Sequence, residues 1–261
     1  MNDLSGKWAL VTGASSGFGV EFAKLLAAHQ ANLVLVARRT EPMNKLAGDL
    51  RKEHFVQVEV LGMDLSRSGA GAELKADLDR RGIAIEILVN NAGFGIYGDF
   101  LNHPLEKIAE MMRLNIMTLT ELTHIFGRDM AGRRRGHILL VASLLGFQAT
   151  PGYAAYAASK GYVLLLGEAL SRELSPHGVS VTTLSPGLSA TAFGDVAGQK
   201  SSALRKILSM QPRSVAEAGV LTMLDGKASV VPGFLNKAVV FFDRLMPRSM
   251  QRNVLERVMA K

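Results

Sequence analysis

The sequence contains no cysteine. Disulfides, thiolate metal sites and a cysteine nucleophile are therefore excluded, and a reducing compartment is in keeping with this. It also lacks any run of the ~18–20 apolar residues that a membrane-spanning helix requires. The first residues, Met1 to Trp8, have neither the basic start nor the long apolar stretch of a signal peptide, so a cytosolic protein is expected. The six histidines, at 29, 54, 103, 124, 137 and 177, show no ligand spacing, and no metal site is expected. No linker, repeat or low-complexity segment divides the chain. We expect one domain over 1–261, with a cofactor and catalytic core (1–190), a substrate loop and helix (191–226) and a basic amphipathic extension (227–261).

What is present is the composition of a globular protein, with 48% apolar and 20% charged residues in a chain of 261. Such a chain buries roughly three quarters of its unfolded surface. The formal net charge of +7 is unevenly placed. Residues 227–261 hold seven basic side chains (Lys227, Lys237, Arg244, Arg248, Arg252, Arg257 and Lys261) against two acids, Asp243 and Glu256. The remainder, with 23 basic and 21 acidic groups, is nearly neutral, which argues against a nucleic-acid-binding surface. Arg133-Arg-Arg135 has no aromatic residue among its basic ones and reads as a solvated loop.

Apolar runs alternate with helical patterns. The candidate strands are 8–12, 32–37, 56–61, 85–90, 137–142 and 179–185, and the candidate helices lie near 18–29, 41–53, 67–81, 104–131 and 153–175. Strands apolar on both faces, alternating with helices, predict a doubly wound parallel α/β sheet of Rossmann type, covered by helices on each side. A polar stretch follows Pro186-Gly187, where a substrate-covering loop would lie. A helix is expected over 214–226 and a short strand and turn over 230–233. Farther on, Phe234, Leu235, Ala238, Val239, Phe242 and Leu245 recur at helical spacing until Pro247 interrupts them. Three readings of this tail stay open: packing on the body or a second subunit, docking on an anionic membrane surface, and a lid over the substrate. Packing is the expectation.

The first strand runs into Gly13-Ala-Ser15-Ser16-Gly17-Phe18-Gly19, and a helix follows at once. Glycines allow a tight turn and close approach to a pyrophosphate, and the free N–H groups of the helix start favour the anion. An acid about 20 residues beyond would hold a ribose 2′-hydroxyl. Here the second strand ends in Arg38-Arg39, with no acid until Glu41. Two guanidiniums suit a 2′-phosphate, so NADP(H) is expected over NAD(H).

Tyr156 and Lys160 stand four apart in a predicted helix and share a face. A nearby ammonium, with an oxidised nicotinamide ring adding positive charge, would stabilise the phenolate and lower the phenol pKa from its usual ~10. Tyr153 has Ala157 four residues on and so lacks that partner. Ser143 ends the preceding strand, where its hydroxyl could polarise a carbonyl.

Taken together, Thr12-Gly-Ala-Ser-Ser-Gly-Phe-Gly19, Asp64-Leu65, Asn90-Asn-Ala-Gly93, Asn115, Ser143, Tyr156-Ala-Ala-Ser-Lys160 and Pro186-Gly187 resemble the short-chain dehydrogenase/reductase family of the classical type, in that family's order and spacing over about residues 5–190. The resemblance implies that Tyr156 is the proton donor or acceptor and that Ser143 holds the reacting oxygen. Lys160 would lower the tyrosine pKa and bind the nicotinamide ribose, and Asn115 would hold a relay water. Asp64 and Leu65 would contact adenine, Asn91, Ala92 and Gly93 the adenosine ribose, and Leu188 and Thr191, after Pro186-Gly187, the carboxamide. Thr191 is equally readable as a helix N-cap. Asn90 is expected to brace neighbouring strands. The tail is similar to those of a hydroxysteroid dehydrogenase-like and DltE-like branch, which implies a bulky or lipid-like substrate.

The expected function is hydride transfer between NADP(H) and a carbonyl or secondary alcohol of a small, apolar molecule. Phe94, Ile96, Leu144, Leu145, Phe147 and Phe193 would line its pocket. A homodimer or homotetramer is implied by the resemblance, and peripheral membrane contact through 234–261 stays open. Two rivals remain on the sequence alone: a catalytically silent nucleotide-binding regulator, and a membrane or protein adaptor.

Overall fold

Six of the strands come from the continuous apolar runs, because such runs are buried on both faces once helices cover a parallel sheet. A computed structural model of the chain describes residues 4–188, 209–247 and 250. Its strands are β1 (Trp8–Thr12), β2 (Asn32–Ala37), β3 (Val58–Gly62), β4 (Ile85–Asn90), β5 (Gly136–Val141), β6 (Val179–Leu184) and β7 (Ser229–Val230). They form one sheet in the order β3-β2-β1-β4-β5-β6-β7, and every pairing is parallel. The helices are α1 (Phe18–Ala28), α2 (Thr40–His54), α3 (Ala70–Arg80), α4 (Leu105–Met112), α5 (Leu119–Gly132), α6 (Ala154–Glu173), α7 (Pro212–Leu224) and α8 (Phe234–Leu245).

Alternate residues of each strand feed two cores, as the period of a strand requires. Ala9, Val11, Leu33, Leu35, Ile87 and Val89 pack with Phe22 and Leu26 of α1, Leu50 of α2 and Val220 of α7. On the other face Leu10, Val34, Leu88 and Ile138 pack with Leu74 of α3, Phe126 of α5 and Val163 of α6. Helices therefore cover both faces, as the doubly wound expectation required.

Three boundaries differ from the sequence reading for local reasons. β3 begins two residues late because Phe55 adopts a left-handed conformation and stands exposed. α3 begins at Ala70, after Gly69 at φ +76°. The long helix expected over 104–131 is divided by a π turn, Arg113–Thr118. In that turn Asn115 is fully buried and bonded to the backbone of Phe94, with its Nδ2 donating to the carbonyl at 3.0 Å and its Oδ1 accepting from the amide at 3.2 Å. Widened turns of this kind recur where one side chain is redirected.

Candidate active site

The carboxyl ends of β1 and β4 flank the point where the strand order reverses, the usual crevice for a ligand in an open α/β sheet. The turn after β1 is tight. Gly13 and Gly17 have φ of +68° and +58°, which a side chain strains. A Cβ on Gly13 would lie 2.9 Å from Asn91 Nδ2, and one on Gly19 would overlap the Gly13 carbonyl. Gly17 caps α1 with no side-chain hydrogen bond, leaving the first N–H groups of that helix for an external anion.

Thr12, quoted above only as the start of the glycine motif, ties the two strand ends together. Its hydroxyl donates to the Val89 carbonyl at 3.2 Å and accepts from the amides of Asn91 and Ala92 at 3.0 and 2.9 Å. Asn91 Nδ2 returns a bond to the Thr12 carbonyl at 2.8 Å. Asn90 does not brace strands as expected. Its Nδ2 donates to Thr123 Oγ1 at 2.9 Å and to the Leu119 carbonyl at 3.4 Å, fixing β4 to α5.

The two arginines after β2 part company. Arg39 lies over the glycine turn, its Nη2 donating to the hydroxyls of Ser15 and Ser16 at 3.3 and 3.2 Å. Arg38 instead reaches Glu110 of α4 at 3.3 Å, a solvent-exposed pair. Asp64 accepts from the Ser66 amide and hydroxyl at 3.0 and 2.7 Å. Burial pushes its carboxyl up, but these two bonds with Arg38 and Arg67 outweigh that and hold it below the ordinary carboxylate value. Leu65 is buried, and its carbonyl accepts from Thr118. The uncapped helix start, the close glycine approach and a guanidinium over the turn fit a dinucleotide carrying a further phosphate.

Ser143 follows β5 in extended conformation, and its Oγ accepts from the Leu145 amide at 3.2 Å, starting a 3-10 turn over Leu144–Phe147. Tyr156 and Lys160 lie one turn apart on α6, both buried, and Tyr156 is hydrogen-bonded to the Ser143 side chain. Lys160 Nζ donates to the Val141 carbonyl at 2.8 Å and lies 5.9 Å from the centre of the Tyr156 ring. Asn115 Nδ2 also donates to Ser159 Oγ at 3.1 Å, and Ser159 donates to the Tyr156 carbonyl at 2.7 Å. Gly93 makes room here, because a Cβ on it would lie 2.8 Å from Asn115 Oδ1 and 3.5 Å from Lys160 Nζ.

The expected lowering of the Tyr156 pKa is not what the chain's own residues produce. Burial raises the phenol well above its ordinary value, the Ser143 bond opposes this and Tyr153 adds to it. Burial also pushes the Lys160 ammonium down to about 8. The result is a protonated phenol beside a lysine that is still mostly charged at neutral pH.

The walls around Tyr156 are apolar. Met111, Tyr153 and Tyr156 pack with Phe94, Ile96, Tyr97 and Leu145. Tyr153, set aside on the sequence for want of a lysine partner, packs with its ring tilted against Tyr156 at 5.8 Å and Tyr97 at 5.0 Å between ring centres. Opposite them the Pro186 carbonyl accepts from the Leu144 amide at 2.8 Å, and the Leu188 carbonyl accepts from the Met210 amide at 2.9 Å. Thr191 and Phe193 lie outside the described residues.

The tail helix rests on this rim. A Cβ on Gly187 would lie 2.5 Å from Asn236 Nδ2. Gln148, with its amide turned to donate, reaches both carboxylate oxygens of Asp243 at 2.7 and 3.1 Å. Of the packing expected on the body or a second subunit, the body does not take the apolar face. Phe234, Leu235, Val239, Phe242 and Leu245 are exposed, and Val240 and Asp243 are the buried residues of α8.

Three comparisons bear on this geometry. The family model described as short chain dehydrogenase matches residues 7–201. The chain is 36% identical over 205 residues to a very-long-chain 3-oxoacyl-CoA reductase of Phaeosphaeria nodorum, an alignment covering 76% of the chain and 59% of that protein. It thus spans about three fifths of the length of that relative. It is 32% identical over 243 residues to a 7beta-hydroxysteroid dehydrogenase of Collinsella aerofaciens, covering 91% of the chain and 90% of the relative. Its fold matches that of a short-chain dehydrogenase from Sphingobium yanoikuyae in complex with NADPH, with a TM-score of 0.81, 30% identity and coverage of 92% and 96% of the two chains.

Proposed function

The chain belongs to the short-chain dehydrogenase family, and from that premise we propose that it is an NADP(H)-dependent reductase of apolar ketones, able to run in reverse on secondary alcohols. The observation that carries this reading is the buried Tyr156 and Lys160, one turn apart on α6 with the ammonium 5.9 Å from the ring centre, between apolar walls at the crevice of the sheet. The nicotinamide cofactor, when bound, supplies or accepts the hydride.

Each residue then has a task. Ser143 donates to the substrate carbonyl oxygen and fixes its position. Tyr156 gives its proton to that oxygen as negative charge develops there, or takes it back in the alcohol direction. Lys160 holds a positive charge within reach of the phenol and stabilises the phenolate left behind. Asn115, bonded to Ser159 and Phe94, keeps this end of α6 in register with the loop after β4. Ser15, Ser16, Gly17, Phe18 and Gly19 hold the pyrophosphate through backbone and hydroxyl donors, Gly13, whose amide donates to the Val36 carbonyl, makes room for it, and Arg39 holds the 2′-phosphate. Arg38 contributes there only if its exposed pair with Glu110 gives way.

The apolar walls support a substrate with a large hydrocarbon part, and the names of the two relatives, a very-long-chain 3-oxoacyl-CoA reductase and a hydroxysteroid dehydrogenase, point the same way. Leu105, Met117 and Leu165, exposed on α4, the π turn and α6, support a homo-oligomer.

The test pairs two variants. Tyr156→Phe should lower kcat for a bulky ketone by about 10²–10⁴-fold while leaving NADPH binding intact. Arg39→Ala should weaken NADPH by roughly 1.5–3 kcal/mol and NADH hardly at all, with Arg38→Ala doing less. Unchanged turnover in Tyr156→Phe overturns the catalytic assignment. Nucleotide binding with no turnover of any ketone by the wild-type protein would leave the silent regulator.

A further inference from the structure

We infer that the outward face of α8 is a docking surface for an anionic lipid bilayer. The inference stands independently of the reductase reading, because it rests on how this helix is turned. A helix at a protein surface normally buries its apolar stripe, and α8 does the reverse. It holds to the body through Asn236, Val240 and Asp243, which recur at helical spacing, and Asp243 is only 8% exposed. Outward it presents Phe234 (84% exposed), Leu235 (67%), Phe241 (60%), Phe242 (59%) and Leu245 (67%). The orientation is fixed from the body side by Gln148 on Asp243 and by the fit of Asn236 against Gly187. A contiguous, outward apolar face of this kind marks a contact with something else.

Charge decides between the candidate partners. From Phe234 to Lys261 the chain has six basic residues and two acids, and one of those acids, Asp243, is on the inner face of α8. Lys237 is exposed at the edge of the apolar face. A two-fold contact through α8 would bring two such basic tails together, at a repulsive cost. A surface of anionic headgroups takes the apolar side chains into the acyl boundary and pairs with the basic ones. No helix among the described residues is long and apolar enough to cross a membrane, so the contact lies along the surface. α8 touches the rim after Ser143 and Pro186-Gly187, so docking places the mouth of the candidate site toward the bilayer.

The experiment is co-sedimentation of the full chain with phosphatidylcholine vesicles, with and without phosphatidylserine, at low and raised salt, alongside sedimentation velocity of the protein alone. Wild type should partition onto the anionic vesicles about tenfold or more above the neutral ones, and raised salt should release it. Phe234→Ser/Leu235→Ser and Phe241→Ser/Phe242→Ser should each lose that partition while keeping the wild-type Tm, because these side chains are exposed. Phe234→Trp serves as a reporter should the serine variants not fold, and its emission should shift to the blue on anionic vesicles. Wild type that stays in solution with anionic vesicles, equal partition onto neutral ones, or partition retained in both serine variants overturns the inference. So does a dimer that the serine variants dissociate and that ignores vesicles, which would assign the face to a second copy.

Discussion

Lys160 is the residue whose environment has the widest consequences. Its ammonium donates to the Val141 carbonyl, and burial lowers its pKa from 10.5 to about 8. The unfolded chain therefore keeps this proton up to 10.5 while the folded chain sheds it above about 8. Stability consequently rises with pH across that window, by up to about 1.4 kcal/mol per pH unit. Below pH 8 the buried charge is a standing cost that the fold bears for the sake of the site. Replacing it by Lys160→Met should raise stability at pH 7 and abolish the rise between pH 8 and 10, as read by urea unfolding of both proteins across that range. An unchanged pH profile would mean that the ammonium is better solvated than its burial implies. The neighbouring phenol behaves in the opposite sense, since burial keeps its proton on through the same range.

Among the elements, the π turn between α4 and α5 shows most clearly what a sequence pattern carries and what it omits. The apolar periodicity from 104 to 131 announces a helix but is blind to one extra residue in its middle. That residue turns Asn115 inward onto Phe94 and Ser159. Deleting Ile116 should remove the extra residue and restore a plain α-helix whose flanks stay in phase, so that Leu119 and Leu122 keep their places in the core. Asn115 would then no longer be redirected onto Phe94 and Ser159. We expect the deletion to lower Tm about as much as Asn115→Ala does, as measured by calorimetry on both. The tail repeats the lesson. Spacing alone makes Phe234 to Leu245 a helix but does not say which face goes inward. That depended on Gln148 and Gly187, residues far away in the chain that give Asp243 an amide donor and Asn236 a close fit where α8 meets the body. Ser159 and Thr12 left no signal for a similar reason: a hydroxyl in a helix or at a strand end is commonplace until its distant partner is known. The strands, by contrast, were legible to within two residues, because burial on both faces leaves an uninterrupted apolar run whatever the partner.

For the whole molecule, the sheet order has a bearing on the chain's birth as well as on its final state. β1 is the first strand to be made, yet it lies between β2 and β4 in the finished sheet. Its partner on one side follows within 20 residues, while its partner on the other, Ile85–Asn90, comes only after three helices and two more strands have been added. Until then the nascent chain displays a β1 edge with no neighbour and an apolar surface on either side, a template for pairing with other chains. A piece ending at residue 84 should accordingly aggregate or stay unstructured by circular dichroism, whereas one reaching beyond β6 should give a cooperative thermal transition. Thr12, which joins β1 to Val89 and to Asn91, closes that seam on the day β4 arrives. The crevice in which the candidate chemistry sits thus forms only when β4 reaches β1, and a cell slow to finish β4 would hold a chain whose most reactive surface is its own backbone.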